Sequence, residues 1–230
     1  GELVFTAFSG SHQDAINKCL ALRGDEDAWD VAYLPIDPHD IGRTYQEVIR
    51  INSQSGKGGV AYVLYRDHGY DLPRWLQIDF SGAVQHLAEQ SEAEVASDQI
   101  HQLFCDTYLN VPGAWSLGRY EVTKDDTEHQ LAAVLGAGDG ETRIQGSGTG
   151  VLDAFIDAME QVTGKNIVLV EYSEHTLGQS SDAEAVCYVQ LNIEGARPCG
   201  VGRSNDIVQA TLNAILSALQ GHCQLTENAA

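Results

Sequence analysis

The sequence predicts an α+β chain: a helix-rich first part, then a strand-rich part made of two pseudo-symmetric copies of one strands-plus-helix unit. Three observations predict it. Apolar residues recur at helical spacing up to about residue 110 and alternate as strands do after about residue 114. Two amphipathic helices interrupt the strand-rich part. They repeat one another at a constant offset of 56 residues, the spacing of Gly146 and Gly202.

The first stretch, residues 1–52, holds a helical segment from His12 to Leu22. Ser11 is its candidate N-cap, since a hydroxyl there accepts from free backbone N–H groups. An acidic link follows, then the proline-pinned loop Val31 to Asp40. The second stretch, residues 53–113, is helical. Val60, Tyr62, Val63 and Leu64 form one apolar cluster, and Leu76, Phe80, Val84, Leu87 and Ala88 form a helical row. Pro73 suits a helix start, where a missing N–H costs nothing. The acidic, small-residue run Glu89 to Asp98 reads as a surface connection.

The third stretch, residues 114–230, has glycine turns at Gly136 to Gly140 and at Gly195. Between them lies β-type alternation, with Ala185, Cys187, Val189 and Leu191 set against Val186, Tyr188, Gln190 and Asn192. Val151, Leu152, Phe155, Ile156, Met159 and Val162 line the first amphipathic helix. Ile207, Val208, Thr211, Leu212, Ile215, Leu216 and Leu219 line the second. Under the 56-residue offset Leu152 meets Val208, Ala154 meets Ala210, Ala158 meets Ala214 and Met159 meets Ile215. One copy cannot bury both its sheet and its helix, so the copies are expected to pack together with pseudo-twofold symmetry.

Composition narrows the function classes. The 230 residues are 43% hydrophobic and 20% charged, as in an ordinary folded protein, and no apolar run is long enough for a transmembrane helix. Residues 1–8 lack the basic start and apolar run of a secretory signal, and the dense start points to a boundary inside a longer protein. With 13 basic against 33 acidic residues, a net charge of −20, the chain is expected to bind neither nucleic acid nor an anionic membrane. Five scattered cysteines, never spaced Cys-x-x-Cys, fit reduced and mostly buried thiols in the cytoplasm rather than a disulfide framework or structural zinc. The eight histidines include no His-x-His or His-x-x-x-His pair, so no metal or other cofactor is expected in this chain.

Several residues invite a chemical reading. His12 stands in the first turn of its helix, where the positive end of the dipole favours a neutral imidazole able to accept a proton. A polar residue at a helix end fits the same pattern. The proline-pinned loop could hold Tyr33 as an oriented hydrogen-bond donor, and a packed tyrosine fits equally. The run Ser53 to Gly59 is no phosphate loop, because Ile51 and Gly58 stand where that motif needs glycine and a hydroxyl residue. It reads instead as a glycine-rich entry to a helix. Gly146-Ser147-Gly148-Thr149-Gly150 leads into the first repeat helix, and backbone N–H groups at such a start attract a carboxylate. Nearby, Tyr172-Ser173-Glu174-His175-Thr176 follows the apolar strand Ile167 to Val170; a plain turn and strand end fit both segments.

The runs Thr6 to Lys18, Tyr33 to Pro38, Gly42 to Tyr45 and Ile51 to Tyr62 resemble the longer bacterial type of the α-isopropylmalate synthase family. The resemblance is dense to about Phe80, weak from Glu89 to Asn110, and clear again from Ile144 to Leu219. It implies a catalytic (β/α)8 barrel before this chain and two linker subdomains over 1–52 and 53–113. A regulatory domain of two β-β-β-α units is implied over 114–230. It also implies condensation of acetyl-CoA with 3-methyl-2-oxobutanoate, on a barrel holding a divalent zinc, magnesium or manganese ion, with this fragment inactive alone. His12 and Tyr33 would act in the barrel of the partner in a homodimer. Leucine, as allosteric effector, would contact Gly148, Gly150, Leu152, Asp153, Leu169, Tyr172, Thr176 and Ala183. Asp153 and Thr176 stand where the family often has alanine, and Ala32 where it commonly has proline. The same region of a citramalate or homocitrate synthase, or a freestanding amino-acid sensor, are the alternatives.

Overall fold

The computed structural model describes residues 10–24, 27–43, 57–91, 95–109, 111–125, 127–138, 140–178 and 183–227. The run 6–9, residues 44–56 with the first half of the glycine-rich run, and residues 92–94 of the acidic connection lie outside them. The chain is α+β and divides into two compact units, Gly1–Phe104 and Cys105–Ala230.

The first unit is helical, with α1 (Gly10–Leu22), α2 (Lys57–His68), α3 (Arg74–Ser91) and α4 (Ser97–Phe104). α2 packs against each of the other three and buries Val60, Tyr62, Val63 and Leu64. Leu76, Phe80, Val84 and Ala88 of α3 are buried at four-residue spacing, as a helical stripe facing a core must be. Three local expectations need correction. α1 begins at Gly10, so Ser11 lies inside its first turn and does not precede it. Gly58 and Gly59 belong to α2 and are no lead-in. α3 runs through Glu89 and Gln90, good helix formers, and the Gln90 amide reaches His86 one turn back at 2.9 Å.

The second unit opens with a π-helical turn, Cys105–Leu109. Its Tyr108 carbonyl accepts from the Ser217 hydroxyl. Two antiparallel sheets follow, β1 (Ser116–Lys124), β2 (His129–Ala137) and β3 (Gly140–Gly148), then β4 (Ile167–Leu177), β5 (Glu184–Ile193) and β6 (Cys199–Ser204). Each sheet ends in a helix, α5 (Val151–Thr163) or α6 (Ile207–Glu227). The two β-β-β-α units are real, and their registers agree: Leu131 pairs with Gly146, and Cys187, 56 residues on, pairs with Gly202. β1 lies against α6 and β4 against α5, the exchange that a twofold relation between copies requires. One apolar core, from Leu131 and Phe155 to Leu191 and Ile215, is shared by both.

Each helix approaches the last strand of its own sheet through small residues. A Cβ on Gly146 would lie 2.6 Å from the Ala158 nitrogen and closer still to the Ala154 carbonyl oxygen. A Cβ on Gly202 would lie 2.5 Å from the Ala214 nitrogen and closer still to the Ala210 carbonyl. Glycine on the strand and alanine on the helix are therefore a packing requirement written twice.

The segment Tyr172 to Thr176 is the end of a strand, as expected, since β4 continues to Leu177. One strand expectation changes. In β5, Val186 and Tyr188 are as fully buried as Cys187, so the alternation holds only from Gln190 onward. Tyr188 stacks on His175 with ring centroids 5.5 Å apart, and its hydroxyl lies 2.7 Å from that imidazole. None of the five cysteines forms a disulfide, but only Cys187 and Cys199 are buried; Cys19, Cys105 and Cys223 are partly exposed.

Candidate functional site

In the first unit α1 carries His12, exposed, and the loop after it carries Tyr33, 60% exposed. Their ring centroids stand 4.1 Å apart at an interplanar angle of 33°. Sequence reasoning credited the prolines with stiffening this loop, whereas the pins are elsewhere. Val31 and Leu34 bridge each other across a tight turn, and the Trp29 indole N–H donates to the Leu34 carbonyl at 2.8 Å. Tyr33 sits in that turn with φ +65°, a left-handed conformation that costs an L-residue about 1–2 kcal/mol. Pro38 instead starts a 3-10 turn, Pro38–Ile41, for which the Asp37 carboxylate accepts the His39 N–H at 2.9 Å. An exposed aromatic held in a strained turn beside an exposed imidazole contributes little to a core.

In the second unit the predicted effector residues fall into two groups. Gly148, Gly150, Leu152 and Asp153 meet where β3 turns into α5. A Cβ on Gly148 would lie 2.5 Å from the Asp153 Cβ, so the close junction needs glycine. Gly150 is the N-cap of α5, and no side chain caps that helix. Leu152 is half-buried, and Asp153 is exposed and accepts from the Thr149 hydroxyl.

The other group lies on β4. A bulge between Leu169 and Glu171 shifts the pairing, so that Leu169 stands opposite Leu191, Tyr172 opposite Val189 and Thr176 opposite Ala185. The bulge thus brings Leu169 and Tyr172, three residues apart, onto one face. Leu169 packs against the core and Thr176 is exposed. Ala183, half-buried, directly precedes β5. β4 is tied to the last turn of α5 by the Ile167 N–H, which donates to Glu160 at 2.7 Å. The Tyr172 hydroxyl donates to Glu174 and lies 3.2 Å from the Thr211 hydroxyl. Burial, and then the bond to Glu174, push it well above the ordinary phenol range.

Sequence reasoning missed the counterpart of β4. β1 carries its own bulge, after Leu117, and Tyr120 pairs with Ala133 just as Tyr172 pairs with Val189. Leu117 and Tyr120 are therefore the twins of Leu169 and Tyr172. The Tyr120 hydroxyl donates to Asp206 at 2.6 Å. Burial and then that bond push Tyr120 up to about 12, while the same bond holds the Asp206 carboxyl below the usual carboxylate range. A depressed folded-state pKa contributes stability that is present above the ordinary carboxylate pKa and lost as pH falls through the folded value. Tyr120→Phe is accordingly expected to move the Asp206 titration to higher pH, with a stability loss of only about 0.5 kcal/mol because water reaches the pair. A carbon-detected NMR titration of the Asp206 carboxylate, run on both proteins, checks it.

Two open recesses of the second unit are lined by other residues. One of about 420 Å³ includes Gly146, Ser147, Asp157 and Gln161. The other, of about 570 Å³, lies beside α6 between Trp115, Arg203, Gln209 and Gln220. Among the described residues no helix is long and apolar enough to cross a membrane, and no group of three or more His, Cys, Asp or Glu could hold a metal ion.

Comparison with known proteins supplies the context for both groups. Residues 2–65 match the family model described as α-isopropylmalate synthase, post-catalytic domain-like, and residues 94–222, more than half of the chain, match the LeuA allosteric (dimerisation) domain. The 2-isopropylmalate synthase of Alcanivorax borkumensis is 46% identical over 222 residues, covering 95% of this chain and 39% of that protein. Those of Rhizobium meliloti and Thermobifida fusca are 47% and 44% identical, each with 95% of this chain and 40% of the relative covered. The chain thus spans about two-fifths of the length of the curated relatives it matches. It belongs to the α-isopropylmalate synthase family, of which it represents the post-catalytic segment and the allosteric dimerisation domain.

Proposed function

We propose that this chain is the leucine-sensing C-terminal part of a 2-isopropylmalate synthase, inactive by itself and regulating a barrel that other residues of the protein supply. In that barrel the methyl carbon of acetyl-CoA loses a proton and attacks the ketone carbon of 3-methyl-2-oxobutanoate, and the thioester is then hydrolysed. Any divalent metal ion belongs to the barrel. His12 and Tyr33, exposed side by side, would enter the partner's barrel. There the imidazole would assist the base that takes the methyl proton, or position the attacking groups, and the phenol would hydrogen-bond near the substrate.

The observation that carries the regulatory half is the start of α5. Its N-cap is a glycine, no side chain caps it, and half-buried Leu152 adjoins it. Backbone N–H groups and the dipole favour the carboxylate of a free amino acid there, and half-buried Leu152 offers apolar surface to an aliphatic side chain. Dimerisation would cover Val168 and Ile207, which stay 48% and 44% exposed on one chain. Inhibition by leucine must then be a coupling free energy between two sites, since the effector resembles neither substrate.

Calorimetric titration of the chain with leucine is expected to give saturable heat, with isoleucine and valine weaker. Absence of leucine heat at millimolar concentration would remove the proposal, and a stronger response to isoleucine would favour a citramalate-type parent.

A further inference from the structure

Among the described residues four polar side chains are buried, Thr211, Ser217, Gln220 and His222, and all of them lie on α6. A buried polar group is unfavourable unless it is hydrogen-bonded. The bonds of Ser217 and Gln220 go to one segment, the connector 105–115 that follows α4 in the chain. The Ser217 hydroxyl donates to the Tyr108 carbonyl. The Gln220 side-chain oxygen accepts the Trp115 N–H at 3.3 Å, and one helical turn on the Gln224 amide donates to the Pro112 carbonyl at 2.6 Å. Positions 217, 220 and 224 fall on one stripe of a helix, so α6 holds the connector backbone along a single face. A Cβ on Gly113 would overlap the Gln220 carboxamide, so only glycine passes there.

The first half of α6 reaches Tyr172. The Thr211 hydroxyl lies 2.8 Å from the Ile207 carbonyl and 3.2 Å from the Tyr172 hydroxyl. Tyr172 gives its own proton to Glu174, so the single Thr211 proton is shared between those two oxygens according to where the phenol sits. Between its two ends α6 has little room to bend. Leu212, Ala214, Ile215, Leu216, Ala218 and Leu219 are buried in the shared core, and Gly202 brings the helix backbone hard against β6. A helix packed in this way responds as a rod rather than by local repacking.

We propose that α6 is a relay with a contact at each end: Thr211 registers the position of Tyr172, and Ser217, Gln220 and Gln224 pass it to the connector. The relay rests on the reading of Tyr172 as an effector residue. It adds the route by which an effector in the second unit acts on the chain before it. The connector is the chain's own link from α4 to β1, so a shift of its backbone is handed on covalently.

Hydrogen exchange followed by NMR tests the route in the whole chain. Leucine is expected to slow exchange of the Trp115 amide by at least about fivefold, a modest local coupling. Thr211→Val, which keeps the shape of the side chain and removes its hydroxyl, should abolish that slowing while leucine still binds. In the full-length enzyme, Ser217→Ala with Gln224→Ala should leave turnover without leucine unchanged. There leucine affinity should stay within about threefold of wild type, while the factor by which saturating leucine lowers activity falls from roughly 5–150, the usual span of coupling, to less than about twofold. Asn213→Ala, on the same helix with no bond to the connector, should keep full inhibition.

The relay is overturned by a Trp115 amide indifferent to bound leucine, by protection that survives Thr211→Val, or by a folded double variant inhibited as fully as wild type. Loss of inhibition in Asn213→Ala as well overturns the assignment to the clamp residues. Should the double variant fail to fold, exchange in the wild type and in Thr211→Val still decides. A wild type that takes no leucine defeats the effector reading and the relay with it. A wild type that binds leucine and is inhibited, while Trp115 and the variants do not respond, defeats only the role given to α6.

Discussion

Gly202→Ala is expected to destabilise the second unit by about 3 kcal/mol, at the upper end of over-packing costs, and to lower its melting temperature by roughly 10–15 °C. The added methyl meets the backbone of α6, with the Ala214 nitrogen at 2.5 Å and the Ala210 carbonyl nearer still. A flexible side chain could rotate aside; a helix backbone cannot. α6 would have to lift from β6, opening voids beneath Leu212, Ile215 and Leu219, all at 2% exposure or less. Gly146→Ala should behave alike, because the same strand and helix positions meet in the first copy. Gly221→Ala is the control. It lies in α6 with nothing within 4 Å of its Cβ, so it should stabilise by about 0.5–1 kcal/mol through the higher helix propensity of alanine. Urea unfolding of the three variants measures all of this, and a Gly202→Ala midpoint equal to that of wild type would refute the tight strand-to-helix approach.

The glycine contact also explains why so much of the second unit was legible. A residue pair fixed by backbone approach tolerates no larger side chain, so Gly146 with Ala154 and Ala158, and Gly202 with Ala210 and Ala214, stand out at one spacing. The first strands did not stand out, because the offset changes. Lys124 pairs with His129, whereas its twin Thr176 pairs with Ala185, so the second hairpin is four residues longer and β1 relates to β4 by 52 residues. Allowing that gap aligns Leu117-x-x-Tyr120 with Leu169-x-x-Tyr172, a signal present in the sequence but invisible at fixed spacing. The bulges that turn those three-residue steps onto one face were not legible at all. A bulge is a pairing event between strands, and neither strand encodes it alone. In the first unit the helical stripe of α3 was legible from periodicity, while the turn that holds Tyr33 depends on Trp29 reaching the Leu34 carbonyl, a contact that no spacing rule predicts.

In the full-length enzyme, His12→Ala and Tyr33→Phe are each expected to lower kcat by about 10²–10⁴, the range for loss of a positioned acid or base, with leucine binding unchanged. The stability side sets this apart from a packing role. His12 and Tyr33 are exposed, and substitutions at such positions commonly shift stability by no more than about 0.5 kcal/mol. Tyr33 also occupies a left-handed turn position at φ +65°, so Tyr33→Gly should relieve about 1 kcal/mol of backbone strain while removing the phenol. A residue retained for its fold would show the opposite pattern, a lower melting temperature with turnover preserved. Parallel measurement of melting temperature and kcat for Tyr33→Gly therefore separates the two. A folded, more stable and nearly inactive enzyme places the phenol at the reacting groups; a destabilised but active one returns Tyr33 to the role of a surface turn. Mixing His12→Ala with a barrel-inactivated variant adds a test in the dimer. Turnover regained in mixed dimers requires that His12 of one protomer serve the barrel of its partner, and no recovery after subunit exchange would leave the imidazole acting within its own chain.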